Sequence, residues 1–363
     1  MTVLPNTAAD ALAASYTTFW KWFAQHEQSF FHAVKNHARV EEDFFAWLSP
    51  ALDTIKPGFY FQTGMFDEHT VELQISAEGA IENIVFVEEL IHVAPTLPGW
   101  RFTALKTASD IEHTTITMAG YEFNTDTLTF YAQHEAAYPD FIDIVVVHPE
   151  WTEENSSTIQ HGVLIFLDNY LGELDFVTTI DRTTVVGEAP APHEPVPIEK
   201  LQAYLRWRQQ EFVEKYEGLR HDTENDPYAS FTAELESGNQ LLAIINTDLL
   251  DWDGKASHPW VMVVAVSYDG AARNGMPNQA TYERMNELED AIVAELPDFD
   301  GYLNVGRQTA ESTREIYFAC RDFRKPSKVL YNLQAAYEGI LDVTYEIYKD
   351  KYWQSFERFN PHS

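Results

Sequence analysis

The chain has a single cysteine, Cys320, among 363 residues. That excludes an intramolecular disulfide and any cysteine-built zinc site. In "EIYFACRDF" it reads as a small apolar core residue, with no neighbour in sequence that would activate a thiolate. Basic residues are also scarce: 24 Lys/Arg stand against 57 Asp/Glu, a formal charge of −33. Such a surface repels phosphate and anionic lipid, so direct nucleic-acid binding and membrane-surface binding are not expected. A basic protein partner is compatible with it. No apolar run approaches the roughly 18 residues of a membrane-spanning helix. The start, "MTVLPNTAADALAASY", lacks a charged segment followed by an apolar one, so no secretory signal is expected and the default address is cytoplasmic.

What is present suffices for folding. Hydrophobic residues make up 45% and aromatics 14% of the chain, and the length favours two domains. The acidity is uneven, with 7 Lys/Arg against 28 Asp/Glu up to Glu188 and 17 against 29 beyond it. The proline-rich stretch "GEAPAPHEPVPIEK" favours an extended spacer. It suggests a first domain at 1–186, a linker at 187–200 and a second domain at 201–363.

In the first half, Tyr16, Phe19, Trp20, Phe23 and Phe30 recur at helical spacing and predict an amphipathic helix over about residues 9–35. A second helix is expected over Val40–Ile55. Two strands, "GFYFQTG" and "HTVELQIS", turn at Phe66–Glu68. "AIENIVFVEELIHVAP" reads as a helix and "WRFTALK" as a strand. Strands at Thr114–Met118, Thr127–Ala132 and Ile142–Val147, a helix at Glu153–Leu171 and a strand at Phe176–Ile180 complete this half.

In the second half a helix, Ile198–Glu217, precedes a hairpin of Ser230–Leu235 and Gln240–Asn246. Strand Trp260–Val266, helix Gln279–Leu296, strands Tyr302–Arg307 and Arg314–Cys320, helix Ser327–Gly339 and strand Val343–Lys349 follow. The fold class is therefore α+β in two domains. The C-terminal domain is expected to be ferredoxin-like, β-α-β-β-α-β, with an extra N-terminal hairpin and its two helices on one sheet face. Trp260–Val266 is apolar throughout, as a strand buried on both faces should be.

Several chemistries lack their residues. The loop "SYDGAARNGMPNQ" has Gly270, Gly275 and Pro277 but neither G-x-G-x-x-G nor G-K-[ST], so it reads as a structural joint. Glu89 and His92 form one E-x-x-H pair, and a di-iron bundle needs a second. His26, His32 and His37 do not share helical metal spacing. "DWDGKASHPW" and "DFDGYLNVG" begin like calcium loops without the glycine and glutamate that would complete them. No metal site and no cofactor are expected. No G-x-S-x-G is present. An acid–base set of Asp143, His148 and His161 is conceivable, because Asp143 and His148 share one strand.

One constellation points to binding. A hairpin around "QTAEST" would set Arg307 roughly opposite Arg314, with Leu303 and Val305 sharing the face of Arg307 and both arginines on the helix-covered face, at its end. Opposed like charges destabilise a strand pair. They call for carboxylates from the acidic helix, such as Glu283 or Glu287, or for a bound anion or acidic partner group, which arginine forks suit. Arg273 and Asn274, in the preceding loop, are candidate contributors to the same site.

The pieces "HPWVMVVAVSYDGAARNGMPNQATYERMNELEDAI", "REIYFACRD" and "YKDKYWQSFERFNP" resemble domain-of-unknown-function family 695 (DUF695), over about residues 228–361. The family is often grouped with the B-type regulators of ribonuclease activity. The resemblance implies a compact α+β unit and, as a function, binding and inhibition of an RNA-degrading enzyme. The first half looks like a module of uncharacterised bacterial proteins, carried by "FWKWFAQHEQSFF", "VELQISAEGA", "APTLPGWRFTALK" and "LDNYLGELDF". The expected function is non-catalytic binding or regulation through protein or small-anion contacts. Alternatives are a ribonuclease regulator and a hydrolase using Asp143, His148 and His161 or a carboxylate pair.

Overall fold

The computed structural model describes residues 7–37, 39–110, 114–188 and 194–360. The packing of these residues divides them into two units, one within 13–215 and one of 7–12 with 216–360.

The first unit opens within helix α1, Thr7–Lys35, of which it holds the part from Ala13 on. The expected stripe is its buried face: Tyr16, Phe19, Trp20, Phe23 and Phe30 are each at most 4% exposed. A π-helical turn at Glu41–Phe45 leads into α2, Ala46–Ile55. Strands β1 (Tyr60–Met65), β2 (Val71–Ser76) and β3 (Trp100–Ala104) form a sheet in that order, with helix α3 (Ile81–His92) between β2 and β3. Strands β2 and β3 run parallel, as a helical crossover allows. Phe23 packs edge-on against Trp100 and Phe102, at 4.9 and 5.4 Å between ring centroids.

A small pair, β4 (Ile116–Met118) and β5 (Tyr121–Phe123), precedes β6 (Thr129–Gln133) and β7 (Asp143–Val147). Helix α4 (Ser156–Leu171) and helix α5 (Glu173–Thr179) follow, then β8 (Arg182–Val186), β9 (Val196–Pro197) and helix α6 (Leu201–Tyr216). The four-stranded sheet runs β8-β7-β6-β9. One expectation is corrected here. The strand expected at Phe176–Ile180 is helical up to Thr179, and the strand begins at Arg182. Gly172 (φ +82°) ends α4 and lets a second helix start at once, with Glu173 and Asp175 favourably placed in its first turn.

The proline-rich stretch does not separate the units. Residues 189–193 lie outside the described residues. Beyond them Val196 pairs with Phe130, and Ile198, Leu201 and Leu205 are buried in the core of this unit. The division falls at Lys215/Tyr216 instead. Proline content signalled a stiff backbone, while the apolar spacing after it decided where that backbone is anchored.

The second unit holds β10 (Tyr228–Glu234), β11 (Gln240–Asn246), α7 (Thr247–Asp251), β12 (Trp260–Ser267), α8 (Gln279–Glu295), β13 (Tyr302–Ala310), β14 (Thr313–Cys320), α9 (Arg324–Ala336) and β15 (Asp342–Lys349). From β12 onward the order is β-α-β-β-α-β. The strands form one sheet, β10-β11-β13-β14-β12-β15, antiparallel at every pairing. Met285, Leu288 and Ile292 of α8 and Leu330 and Leu333 of α9 are buried. The opposite face packs Val261, Val263, Leu303, Val305, Tyr317 and Ala319 against Leu249, Trp353, Phe356 and Phe359. Strand β12, covered on both faces, is buried from Trp260 through Val264, as its uninterrupted apolar run requires.

Candidate functional site

Strand β13 carries an irregularity between Asn304 and Gly306. Gly306 has φ +137°, and a Cβ there would stand 2.2 Å from the Ile244 carbonyl oxygen. No other residue fits that backbone. The extra residue reverses the facing of the strand. Leu303 and Val305 enter the core opposite α8, whereas Arg307 aligns with Ile316 on the side of α8. The shared face expected for Leu303, Val305 and Arg307 is therefore corrected, as is the direct opposition of the arginines. Arg314 pairs with Thr309, two positions along from Arg307. This offset relieves the like-charge contact that direct opposition would create.

Three residues of α8 meet the pair. Tyr282, Asn286 and Glu289 fall at i, i+4 and i+7 and so share one stripe of the helix. Arg307 Nη1 donates to Glu289 Oε2 at 2.6 Å, and that carboxylate is only 10% exposed. Arg314 is 2% exposed. Its Nε donates to Thr309 Oγ1 at 3.2 Å and its Nη1 to Asn286 Oδ1 at 2.8 Å, while the guanidinium lies 4.9 Å from the Tyr282 ring centroid. Burial, and then the neighbouring Arg307, weaken its hold on the proton. The carboxylates suggested from sequence do not serve: Glu283 accepts from Gln279, and Glu287 pairs with Arg284. Each sits one residue, about 100° of helix, off the sheet-facing stripe. Among the described residues no carboxylate forms an ion pair with Arg314.

The loop between β12 and α8 closes this end. Tyr268 N–H donates to Ser312 O, Ser312 N–H to Gly275 O, and Tyr268 Oη to Gly275 O at 2.9 Å. The loop is thereby fastened to the β13–β14 turn, where Glu311 and Ser312 both have positive φ, a costly conformation away from glycine. Arg273 and Asn274 are exposed in the loop, Asn274 in the left-handed region. The structure thus joins Arg307 and Arg314 through α8 and places Arg273 and Asn274 in the loop at the same end of the sheet.

The conceivable acid–base set is not brought together. Asp143 and His148 stand at opposite ends of β7, roughly 17 Å apart for five extended residues. Asp143 is held by Arg182 at 3.2 Å, and burial raises its pKa against that pairing. Both ring nitrogens of His148 are occupied: Nε2 faces Glu122 O at 3.1 Å and Nδ1 accepts from Glu150 N–H at 3.2 Å. His161 is exposed on α4.

Two polar clusters were not anticipated. Glu173, fully buried, accepts from Ser76 Oγ (2.8 Å), Ala77 N (3.0 Å), Gly79 N (3.0 Å) and Lys106 N (3.2 Å). Lys106 Nζ lies 2.9 Å from both Glu78 and Asp168. Gly172, whose Cβ would stand 2.8 Å from Ala108 N, permits this approach. In the second unit, Ser257 Oγ donates to Gly254 O at 2.6 Å and meets His258 Nδ1 at 2.8 Å. The hydroxyl proton is committed to the carbonyl, so Nδ1 carries the ring proton. Among the described residues the buried Nε2 has no hydrogen-bond partner. Burial, with Arg220 and His221 nearby, pushes the His258 pKa down to about 3.

An open groove of about 690 Å³ lies in the first unit, lined by Leu171, Leu205 and Val213 beside Gln202, Arg206 and Gln209. No group of three or more His, Cys, Asp or Glu among the described residues is placed to hold a metal, and no helix among them is long and apolar enough to cross a membrane.

A family model described as "Family of unknown function (DUF695)" matches residues 232–359, the part that contains Arg307 and Arg314. No curated protein and no solved structure matches the chain.

Proposed function

We propose that this chain is a binding protein that acts by contact, and that its C-terminal unit recognises a small anionic group, a carboxylate or a phosphate, at Arg314. The observation that carries the reading is a guanidinium 2% exposed whose hydrogen-bond partners are all neutral. A buried cation normally has a counter-charge. Arg307 is paired with Glu289, whereas Arg314 feels that carboxylate only without contact and, among the described residues, touches Thr309, Asn286 and a tyrosine face. An anion would complete the fork that these leave open. Arg273 and Asn274, in the exposed loop at this end, would meet the solvent side of such a ligand. Against the Asp143, His148 and His161 form of the hydrolase alternative, Asp143 and His148 stand at opposite ends of one strand and His161 is exposed on α4; nothing in the site bears on its carboxylate-pair form. The ribonuclease-regulator alternative rests on the family resemblance and is compatible with the net charge of −33.

Isothermal titration of the full chain with phosphate, and separately with citrate, at constant ionic strength tests the reading. Saturable binding of either, lost in Arg314→Met and kept in Arg273→Ala at reduced affinity, is expected. Absence of binding by both, or binding unchanged in Arg314→Met, overturns it.

A further inference from the structure

The six-stranded sheet of the C-terminal unit has two ends, and they are guarded differently. Strand β15 carries Asp342, Glu346 and Lys349, the charged edge expected of a strand that must not pair further. Strand β10, "YASFTAE", has no charge before its last residue, no proline, and no bulge against β11. It is the last strand of the sheet on its side.

The flanking hydrogen bonds show which backbone groups it leaves open. Leu235 N–H donates to Asn239 O and Thr247 N–H to Pro227 O, and both pairs continue the β10–β11 register. In an antiparallel ladder bonded residues alternate. Residues 229, 231 and 233 therefore bond β11, and the N–H and C=O groups of Tyr228, Ser230, Thr232 and Glu234 point away from the sheet. Tyr228 and Leu242, 47% and 39% exposed, offer apolar contact beside that row.

We infer that β10 is a docking edge that takes an extended, Lys- or Arg-bearing segment of a partner protein as a seventh strand. Charge selects this occupant. Glu224, Glu234 and Glu236 are exposed around the strand on a chain of net charge −33. A second copy could satisfy all four outward residues only with Phe231 on the two-fold axis. That register sets Glu236 against Asp226 of the other copy and joins two strongly acidic chains. A basic strand gains the same backbone bonds with attraction in place of repulsion. This inference is independent of the anion reading.

The outward groups supply a selective variant. In Thr232→Pro the lost N–H is one that the fold does not use, whereas Phe231→Pro removes one bonded to β11. The probe is a labelled peptide, Lys-Thr-Val-Lys-Val-Thr-Val-Lys, with a Glu-for-Lys version as control, added to the full chain. The Lys peptide is expected to bind and to slow hydrogen exchange in residues 228–234. Thr232→Pro should weaken it by roughly tenfold or more, Thr232→Ala should not, and the Glu peptide should fail to bind. Phe231→Pro should lower the unfolding midpoint more than Thr232→Pro does. Unchanged exchange at millimolar Lys peptide, equal binding by both peptides, or full binding by Thr232→Pro overturns the inference. So does a wild-type dimer that Thr232→Pro converts to monomer.

Discussion

Glu173 in the N-terminal unit and Arg314 in the C-terminal unit are both buried charges, and their surroundings separate two uses of burial. Four donors converge on Glu173, three of them backbone N–H groups from two loops. Its charge is spent on holding the turn after β2 and the end of β3 against the start of α5. Arg314 touches two neutral acceptors and an aromatic face. A saturated charge works as a fastener, and on the proposed anion reading an unsaturated one retains capacity for a ligand.

The comparison breaks first at Glu173. Glu173→Gln keeps the shape and removes the acceptor for at least one loop, so it should cost about 4 kcal/mol in urea unfolding. A loss near zero would mean that the cluster fastens nothing. Arg307→Met strands Glu289 in its buried setting and should cost about 3 kcal/mol, most of it restored by adding Glu289→Leu. His258 sharpens the contrast as a buried group that stays neutral. Its folded pKa of about 3 lies below the ordinary 6.5, so the unfolded chain binds more protons between those values. Stability should be complete above about pH 6.5 and fall as pH drops toward 3, with a slope of up to about 1.4 kcal/mol per pH unit. His258→Phe, which keeps the packing against Trp252, should flatten that slope in melts followed across pH.

Much of the fold was legible because apolar spacing reports directly on burial. The stripe of α1, the run of β12 and the β-α-β-β-α-β order all follow from it. Arg307 and Arg314 were legible as a pair on the helix-covered face, but their register was not, because a one-residue bulge at Gly306 has no signature in hydrophobic alternation. Glu283 and Glu287 drew attention by being acidic, whereas the sheet meets Tyr282, Asn286 and Glu289, a choice set by helix rotation that one residue of error reverses. Glu173 was invisible as a site. Its donors come from residues 76–79 and 106, and sequence offers no cue for that closure except a glycine directly before an acidic helix start. Three of the quoted N-terminal pieces, "VELQISAEGA", "APTLPGWRFTALK" and "LDNYLGELDF", meet there. The attachment of Val196–Leu205 was masked by proline, which speaks of local stiffness and not of tertiary contact.

Arg314→Met should change stability least, by about 1 kcal/mol or less, because it leaves no opposite charge uncovered. The same side chain gives the sharpest test of the anion reading. In the full chain carrying ¹⁵N- and ¹³C-labelled arginine, the guanidinium signal absent from Arg314→Met identifies that residue. On titration with phosphate or citrate at constant ionic strength, that signal should shift and saturate ahead of those of the exposed arginines. A signal that stays still, or one that drifts in proportion with every other arginine, would contradict the account.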